Sequence, residues 1–269
     1  IGAAVTDGYN AGHGLPFDSE GMKERYPGIF FSQFTGAELV ADKWNLSRED
    51  LDQFALESHQ KAAQATESKY FDREILPVEG KNAEGINDLV MADEGIRFDA
   101  SLDKLAGLNP VTDGGVITAG NASQITDGAA AVVICNDAGL KKIQANPRAE
   151  IVSISVVGDD PVFMLTGPIP ASKKALETAN LSIDDMDLYE VNEAFAPVPL
   201  AWAVDLKADK SKLNVNGGAM ALGHPLGATG AKLMTTLLHE MERRESKYGL
   251  QAICEGGGPA NATIIKRIA

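Results

Sequence analysis

The sequence predicts an α/β protein built on a mixed sheet with helices over its faces. From residue 151 onward, short apolar segments alternate with longer segments of helical spacing, an order typical of sheets covered by helices. The chain contains 27 glycines and only 6% aromatic residues, which favours tight turns and close backbone contacts over an aromatic-rich β-sandwich. With 269 residues and 44% hydrophobic content, it is long enough to bury a large core.

Residues 1–120 are rich in turn-forming residues, so we expect most of this region to be irregular. Glycines and prolines interrupt its start at Gly8, Gly12, Gly14, Pro16, Gly21, Pro27 and Gly28. One strong helix is expected after Ser47, because Asp50 follows three residues later as its capping-box partner. Apolar residues then recur near one helical face: Leu51, Phe54, Ala55, Ala62 and Ala65. We expect the helix to end near Lys69 and the polar residues 79–110 to lie over a core.

The later elements follow one another at short intervals. After Gly128, the apolar residues 129–134 predict a buried strand, and a short helix to about residue 145 follows it. Cys135 closes the apolar run, so we expect it to be an inert packing residue. The other strands are predicted at residues 151–157, 187–191, 251–254 and 262–267, and the other helices at residues 171–180, 194–206 and 230–244.

The charge balance argues against a nucleic-acid-binding protein. The formal net charge is −14, whereas binding to phosphate groups needs clustered Lys and Arg. The basic pairs are isolated within helix-like segments and are expected on solvated faces: Lys141 and Lys142, Lys173 and Lys174, and Arg243 and Arg244.

The cysteine content and the hydropathy of the chain indicate where in the cell the protein is expected. Two cysteines cannot build a disulfide framework, so we expect a reducing intracellular location, the cytoplasm or an organelle matrix. No apolar run approaches the ~20 residues that cross a bilayer, and a membrane span is not expected. The first residues, from Ile1 to Val5, lack an initiator Met and a basic leader. The start of the chain therefore resembles the interior of a longer polypeptide, in which targeting signals are unreadable.

Four segments have compositions that packing alone does not explain: residues 118–123 (TAGNAS), 191–196 (VNEAFA), 216–230 and 254–258 (CEGGG). In the third, five glycines flank His224, which predicts backbone with positive φ or very close contact with another group. A turn of this kind before a helix presents a histidine rather than burying it. In the fourth, the glycines after Cys254 leave amide N–H groups uncovered, as in an oxyanion hole.

Each polar residue in these segments also has a structural explanation. His224 would then be a core histidine bonded to backbone, Cys254 a hydrophobic residue at a strand end, and Asn192 a turn or helix cap. The other histidines lack a supporting pattern and are expected to be surface or packing residues: His13, His59 and His239. No spacing typical of zinc ligands occurs, so a metal site is not expected.

In their order and spacing, the four segments resemble those of the thiolase family of acetyl-CoA acyltransferases. Ser32-Gln33, Gly36-Ala37-Glu38 and the helix after Ser47 resemble the family's loop domain, so the likeness extends over nearly the whole chain. The resemblance implies a layered mixed sheet with covering helices and an incomplete N-terminal half. Its domains would be a CoA-covering loop domain at residues 1–120, the last strand and helix of the N-terminal domain at 121–150, and the C-terminal domain at 151–269.

The resemblance implies catalytic roles for four residues. His224 activates the nucleophile and, with a water held by Asn192, binds one thioester oxygen. Cys254 moves the proton at the substrate α-carbon, and Gly256 donates its amide N–H to a second oxyanion hole. We expect the pKa of the Cys254 thiol to be lowered toward neutrality beside the imidazole or the uncovered amides.

Coenzyme A and acyl-CoA are implied as substrates, with no permanently bound cofactor. Ser123 would contact the pantetheine and Arg97 the nucleotide end, while Ala194 and Phe195 belong to the same CoA-binding group. Gln124, where the family often has glycine, is interpreted as a minor variation. A homodimer or homotetramer is implied by the resemblance alone.

One departure from the family limits what this chain does alone. The family's acyl-accepting cysteine precedes the loop domain and has no counterpart here, and Cys135 does not replace it. We therefore expect the chain to be inactive by itself, with the nucleophile outside it. A β-ketoacyl synthase is disfavoured because that group has a second histidine where Cys254 stands. A non-catalytic CoA-binding or assembly subunit, whose partner supplies the nucleophile, remains an alternative. Acyl-chain length and the direction of the reaction are not set by these residues.

Overall fold

The computed structural model describes residues 17–81 and 85–268, and within them the α/β class is confirmed. The elements in chain order are α1 (Glu20–Arg25), α2 (Gln33–Lys43), α3 (Arg48–Glu67), β1 (Val78–Lys81), β2 (Asn87–Val90), α4 (Leu102–Ala106), α5 (Asp137–Ile143), β3 (Ala149–Gly158), α6 (Pro168–Ala179), β4 (Leu188–Val191), α7 (Pro197–Leu206), α8 (Ala219–Leu222), α9 (Thr229–Arg243), β5 (Tyr248–Cys254) and β6 (Pro259–Arg267). The turn-forming residues expected at Gly8, Gly12, Gly14 and Pro16, and also His13, lie outside the described residues.

A four-stranded mixed sheet with the order β3-β6-β5-β4 forms the centre of the C-terminal half. Strand β6 is antiparallel to both β3 and β5, whereas β4 and β5 are parallel. The pairing of β5 with β6 extends to Cys254 opposite Ala260, so residues 255–258 form the short turn between the two strands. The four strands predicted for this half are therefore confirmed. The turn between β5 and β6 contains the last three glycines of the sequence.

Helices cover both faces of this sheet, as the sequence predicts. Ile264 of β6 packs in the cluster that contains Ala171 and Ala175 of α6. The next residue, Ile265, packs against Leu237 and other residues of α9. Because successive side chains of a strand point to opposite faces, α6 and α9 lie on opposite sides of the sheet.

The helix predicted after Ser47 is present, with its capping box formed by Ser47 and Asp50. The N-terminal region is nevertheless more regular than the sequence predicts, because α2 and the antiparallel pair β1–β2 also form there. The sequence did not predict α2, because the helix contains Gly36 and a glycine destabilises an isolated helix by about 1 kcal/mol. In the fold, a Cβ at Gly36 would lie 2.6 Å from the backbone oxygen of Phe163, so glycine is what permits α2 to approach that segment.

The buried strand predicted at residues 129–134 is wrong. This segment has no strand pairing, and Val133 and Ile134 are 81% and 72% exposed. Cys135 is also exposed, which contradicts its expected place in a buried strand. A strand needs a neighbour for its backbone hydrogen bonds, and the described residues provide none beside this segment. The short helix that follows is confirmed as α5.

The basic pairs lie at exposed positions, as predicted: Lys141 and Lys142, Lys173 and Lys174, and Arg243 and Arg244. In the part of the chain that the structure describes, no helix is both long and apolar enough to cross a lipid bilayer.

Candidate functional site

The candidate site lies at the edge of the sheet where β4 and β5 end. These strands are parallel, so their carboxyl ends lie side by side. Cys254 is the last residue of β5, and Asn192 directly follows β4. The backbone N–H of Asn192 donates to the oxygen of Ala252 at 3.0 Å. The pairing of the strands thus places the asparagine next to the cysteine, although the two are far apart in the sequence.

Asn192 connects the two reactive side chains. Its Nδ2 donates to Nε2 of His224 across 3.3 Å, and a hydrogen bond from its side chain favours the thiolate of Cys254. The asparagine is only 1% exposed, and its Oδ1 has no hydrogen-bond partner among the described residues. Three predicted site residues, from three separate segments, therefore lie close together. The side-chain oxygen of Asn192 is free to accept a further hydrogen bond there.

The hydrogen bonds around His224 favour a proton on Nδ1 of the ring. Nδ1 lies 2.6 Å from Oγ1 of Thr229, and that hydroxyl donates its single hydrogen to the backbone oxygen of Pro225 at 3.0 Å. The hydroxyl oxygen must then accept from Nδ1–H. Nε2 is consequently the unprotonated nitrogen that accepts from Asn192, and it is the basic atom of the site.

Burial is the main reason why the pKa of His224 is lowered, and the positive charge of Lys232 lowers it further. The imidazole is half-buried, and an uncharged ring is favoured where solvent is partly excluded. At neutral pH, His224 is therefore a neutral base rather than an imidazolium.

The glycines around His224 have the backbone geometry that the sequence predicts. Gly217, Gly223 and Gly227 have φ angles of 79°, 78° and 90°, a region that side chains with Cβ rarely adopt. Gly218 instead permits a close contact, because a Cβ there would lie 2.2 Å from the carboxyl carbon of Glu193. The segment holds His224 on a tightly shaped turn between α8 and α9.

Burial raises the pKa of Cys254 to about 12, and the hydrogen bond from Asn192 opposes that rise only in part. The expectation that this pKa is lowered toward neutrality is therefore wrong. The side chain is buried at the end of a fully covered strand, where removing water disfavours a thiolate more than nearby dipoles favour it. Cys254 is a thiol that keeps its proton at neutral pH.

Gly256 offers a free backbone donor close to this thiol. The turn is closed by Glu255 N–H donating to Pro259 at 3.0 Å and by Gly258 N–H donating to Glu255 at 3.4 Å. The amide of Gly256 has no acceptor among the described residues, and a Cβ at this position would meet nothing within 4 Å. An exposed amide of this kind is suited to an anionic oxygen.

Among the four predicted CoA contacts, three are joined by backbone pairing. Ser123 N–H donates to the oxygen of Ala194 at 2.9 Å, and Ala122 bridges Phe195. Ala194 and Phe195 are buried, which leaves the half-buried Ser123 as the accessible member of this group. Arg97 is exposed on a different segment, where its backbone N–H donates to Nδ1 of His59 at 3.1 Å.

Glu193 is a structural centre that the sequence does not reveal. Burial raises its pKa, while hydrogen bonds lower it. Its carboxylate accepts from Ser58 Oγ at 2.7 Å, Asn214 Nδ2 at 2.8 Å and Met220 N–H at 3.2 Å. The position of Glu193 inside the apolar VNEAFA segment could have indicated a buried carboxylate. Its partners could not be predicted, because they come from distant parts of the chain.

Gln124 is more than the minor variation that the sequence suggests. Its Nε2 donates to the backbone oxygens of Gly95 and Met220, both at 2.7 Å. The backbone oxygen of Gln124 accepts from His224 N–H at 3.4 Å. This glutamine therefore joins the segment around Gly95 to α8 and to the turn that carries His224.

Comparisons with known proteins identify the family of this chain. The family model for the thiolase N-terminal domain matches residues 19–138, and the model for the thiolase C-terminal domain matches residues 145–267. A steroid 3-ketoacyl-CoA thiolase of Mycobacterium tuberculosis is 51% identical over 100% of this chain and 65% of its own length. A 3-ketoacyl-CoA thiolase of Aliivibrio fischeri is 43% identical over 95% of this chain and 67% of its own length.

Solved structures give the same result. The human mitochondrial 3-ketoacyl-CoA thiolase in complex with CoA aligns with a TM-score of 0.81 and 44% identity, over 87% of this chain and 58% of that one. The Bacillus anthracis acetyl-CoA acetyltransferase aligns with a TM-score of 0.85 and 40% identity, over 90% and 61%. This chain thus spans about two thirds or less of the length of these relatives.

Proposed function

Because this chain belongs to the thiolase family, we propose that it is part of an acyl-CoA C-acyltransferase that makes or cleaves a 3-ketoacyl-CoA by Claisen chemistry. The observation that supports this most is the hydrogen bond between Asn192 and His224 beside the end of β5, where Cys254 stands. A base, an acid and a shared amide then surround one space. A subunit that only binds CoA would not need this buried arrangement, so the catalytic proposal is favoured.

In the cleavage direction, His224 acts first. Its Nε2 takes the proton of a nucleophilic thiol, and the sulfur attacks the 3-keto carbonyl of the substrate. The negative oxygen of this adduct accepts the amide N–H of Gly256. When the carbon–carbon bond breaks, the acyl group stays on the sulfur and the electron pair moves into the enolate of an acyl-CoA. The imidazolium of His224, together with a water held by Asn192, faces the enolate oxygen.

Cys254 completes the cleavage step as an acid. Its thiol keeps its proton at neutral pH because burial raises its pKa, so the proton is available for the enolate carbon. The resulting thiolate is stabilised by the hydrogen bond from Asn192. The thiol of CoA then attacks the acyl carbonyl carbon and gives its proton to the Cys254 thiolate, while the imidazolium of His224 returns its proton to the departing sulfur. This releases the shortened acyl-CoA and regenerates the nucleophile. Synthesis is the same sequence in reverse, with Cys254 taking the α-proton.

The nucleophilic thiol is proposed to come from outside these 269 residues. The sequence has two cysteines, of which Cys254 has the role of acid and base. Cys135 is exposed on an unpaired segment, without the imidazole contact that activates a nucleophile. The chain alone is accordingly proposed to be inactive, and the complete enzyme to be a homodimer or homotetramer.

CoA is proposed to bind along Ser123, with Ala194 and Phe195 shaping the wall behind it and Arg97 reaching the nucleotide end. Residues 1–120 would cover the bound CoA. Residues 121–150 would belong to the N-terminal thiolase domain and residues 151–269 to the C-terminal domain.

Replacement of His224 in the native enzyme that contains this chain tests the proposal. In H224A, thiolysis of acetoacetyl-CoA should fall by about 100-fold or more, because the base and an oxyanion donor are both removed. The matched control is H239A, since His239 is a partly buried histidine of α9 whose Nδ1 donates to the Thr235 oxygen at 2.8 Å. The control should stay within about twofold of the wild type. Unchanged thiolysis in H224A would reject the role of His224.

A further inference from the structure

Lys232 lies in the first turns of α9 and reaches back to the turn that carries His224. Its Nζ donates to the backbone oxygen of Leu222 at 2.8 Å. Leu222 is the last residue of α8, and only Gly223 separates it from His224. Gly223 has a φ angle of 78°, so the chain reverses sharply at this point. The lysine therefore anchors the carbonyl from which the histidine turn begins.

Acidic side chains from several other segments act electrostatically on the ammonium group of Lys232, although none forms an ion pair with it among the described residues. Those that act on its charge are Asp93, Glu190, Glu74 and Glu193. Burial raises the pKa of Asp93, Glu190 and Glu193, which favours their neutral forms. Burial also lowers the pKa of Lys232 itself, against the pull of these four carboxyl groups. The cluster holds one ammonium group in a partly enclosed place rather than in bulk water.

Two titratable groups lie on the elements around the imidazole. Lys232, on α9, lowers the pKa of His224 through its positive charge. Cys254, at the end of β5, has a thiol that is uncharged at neutral pH. A cation near a histidine opposes the gain of a second positive charge, and a general base must be uncharged before it accepts a proton.

We propose that Lys232 is a positioning residue for His224, holding the turn that presents the imidazole while its positive charge disfavours a resting imidazolium. This inference rests on the proposed role of His224 as the base. It adds a reason why His224 returns its proton readily after each transfer, since the imidazolium lies in the field of a neighbouring ammonium group. Lys232 itself need not touch the substrate.

Proton NMR titration of the His224 ring in this chain tests the proposal without any turnover. The H224A spectrum assigns the signal among the four histidines of the sequence. In K232M and K232Q, the His224 midpoint should move to higher pH, because the opposing charge is gone. K232R keeps a positive charge and should titrate close to the wild type. K232Q also keeps a hydrogen-bond donor, so it separates the effect of charge from that of the contact with Leu222.

The matched control is K212M, because Lys212 Nζ also donates to a backbone oxygen, that of Met186, at 2.8 Å. It should leave the His224 midpoint unchanged. If K232M loses its fold, K232Q carries the test, and circular dichroism identifies which variant is folded. A His224 midpoint that is the same in a folded K232Q or K232M as in the wild type would overturn the proposal. That outcome would leave the loss of thiolysis in H224A, and the proposed function, standing.

Discussion

At the scale of single residues, Cys135 and Cys254 show how surroundings decide the chemistry of the same side chain. Cys254 is buried at the end of β5, and burial raises its pKa to about 12. Cys135 is exposed on the unpaired segment before α5. Because a thiolate is the reactive form of cysteine, the buried thiol should be protected in two ways, by limited access and by its retained proton.

Alkylation rates follow from this difference. With iodoacetamide at pH 8, Cys135 should be modified at least about 100-fold faster than Cys254, since the pH lies far below the Cys254 pKa of about 12. Peptide mass spectrometry over time measures both rates in one sample. Equal rates at the two cysteines in the wild type would contradict the buried, protonated thiol.

The sequence identified the reactive residues of the site but not the residues that hold them. His224, Cys254 and Asn192 lie in short segments of unusual composition, which is a local signal. Thr229 and Lys232 act on His224 through contacts that form only when the turn folds. The pKa direction of Cys254 was also predicted wrongly, because burial depends on packing that the local sequence does not encode.

At the scale of elements, the turn between α8 and α9 is where backbone geometry serves the site most directly. Gly223 has a positive φ, and a Cβ there would also lie 2.4 Å from Oγ1 of Thr126. Gly227 has a positive φ too, but a Cβ there would meet nothing within 4 Å. An added methyl group would therefore collide with a neighbour at Gly223 but would meet only backbone strain at Gly227.

This contrast gives a matched pair of variants. G227A should lower the free energy of unfolding by about 1–2 kcal/mol, because alanine is strained at positive φ. G223A should lower it by about 2–5 kcal/mol, because Gly223, with φ 78° and ψ 163°, lies in a region that is essentially restricted to glycine and the collision with Thr126 adds to this strain. Urea unfolding followed by circular dichroism measures both. Equal losses in the two variants would show that Thr126 yields to the added methyl group.

Element prediction succeeded where one local signal was sufficient. The helix α3 has a capping box and one apolar face, and its residues Leu51, Ala55 and Ala62 are buried as expected. It failed at α2, where Gly36 is required by a distant backbone contact. It failed again at residues 129–134, because an apolar composition favours a strand but cannot provide a neighbour to pair with.

At the scale of the whole molecule, the account depends on three segments that the sheet and the glycine turn bring together. The parallel pair β4 and β5 places Asn192 beside Cys254, and the turn after α8 places His224 against Asn192. The sequence predicted this convergence through its resemblance to the thiolase family. The family models and the solved relatives confirm that the chain belongs to this family. The layering of α6 and α9 on the two sheet faces provides the rigid support.

An experimental structure of this chain with acetyl-CoA would show whether His224, Asn192 and Cys254 face one bound thioester. We expect the thioester oxygen within hydrogen-bond distance of His224 Nε2 or of a water on Asn192, with the methyl carbon facing the Cys254 sulfur. A thioester bound away from both side chains, or His224 and Cys254 opening into separate cavities, would contradict it.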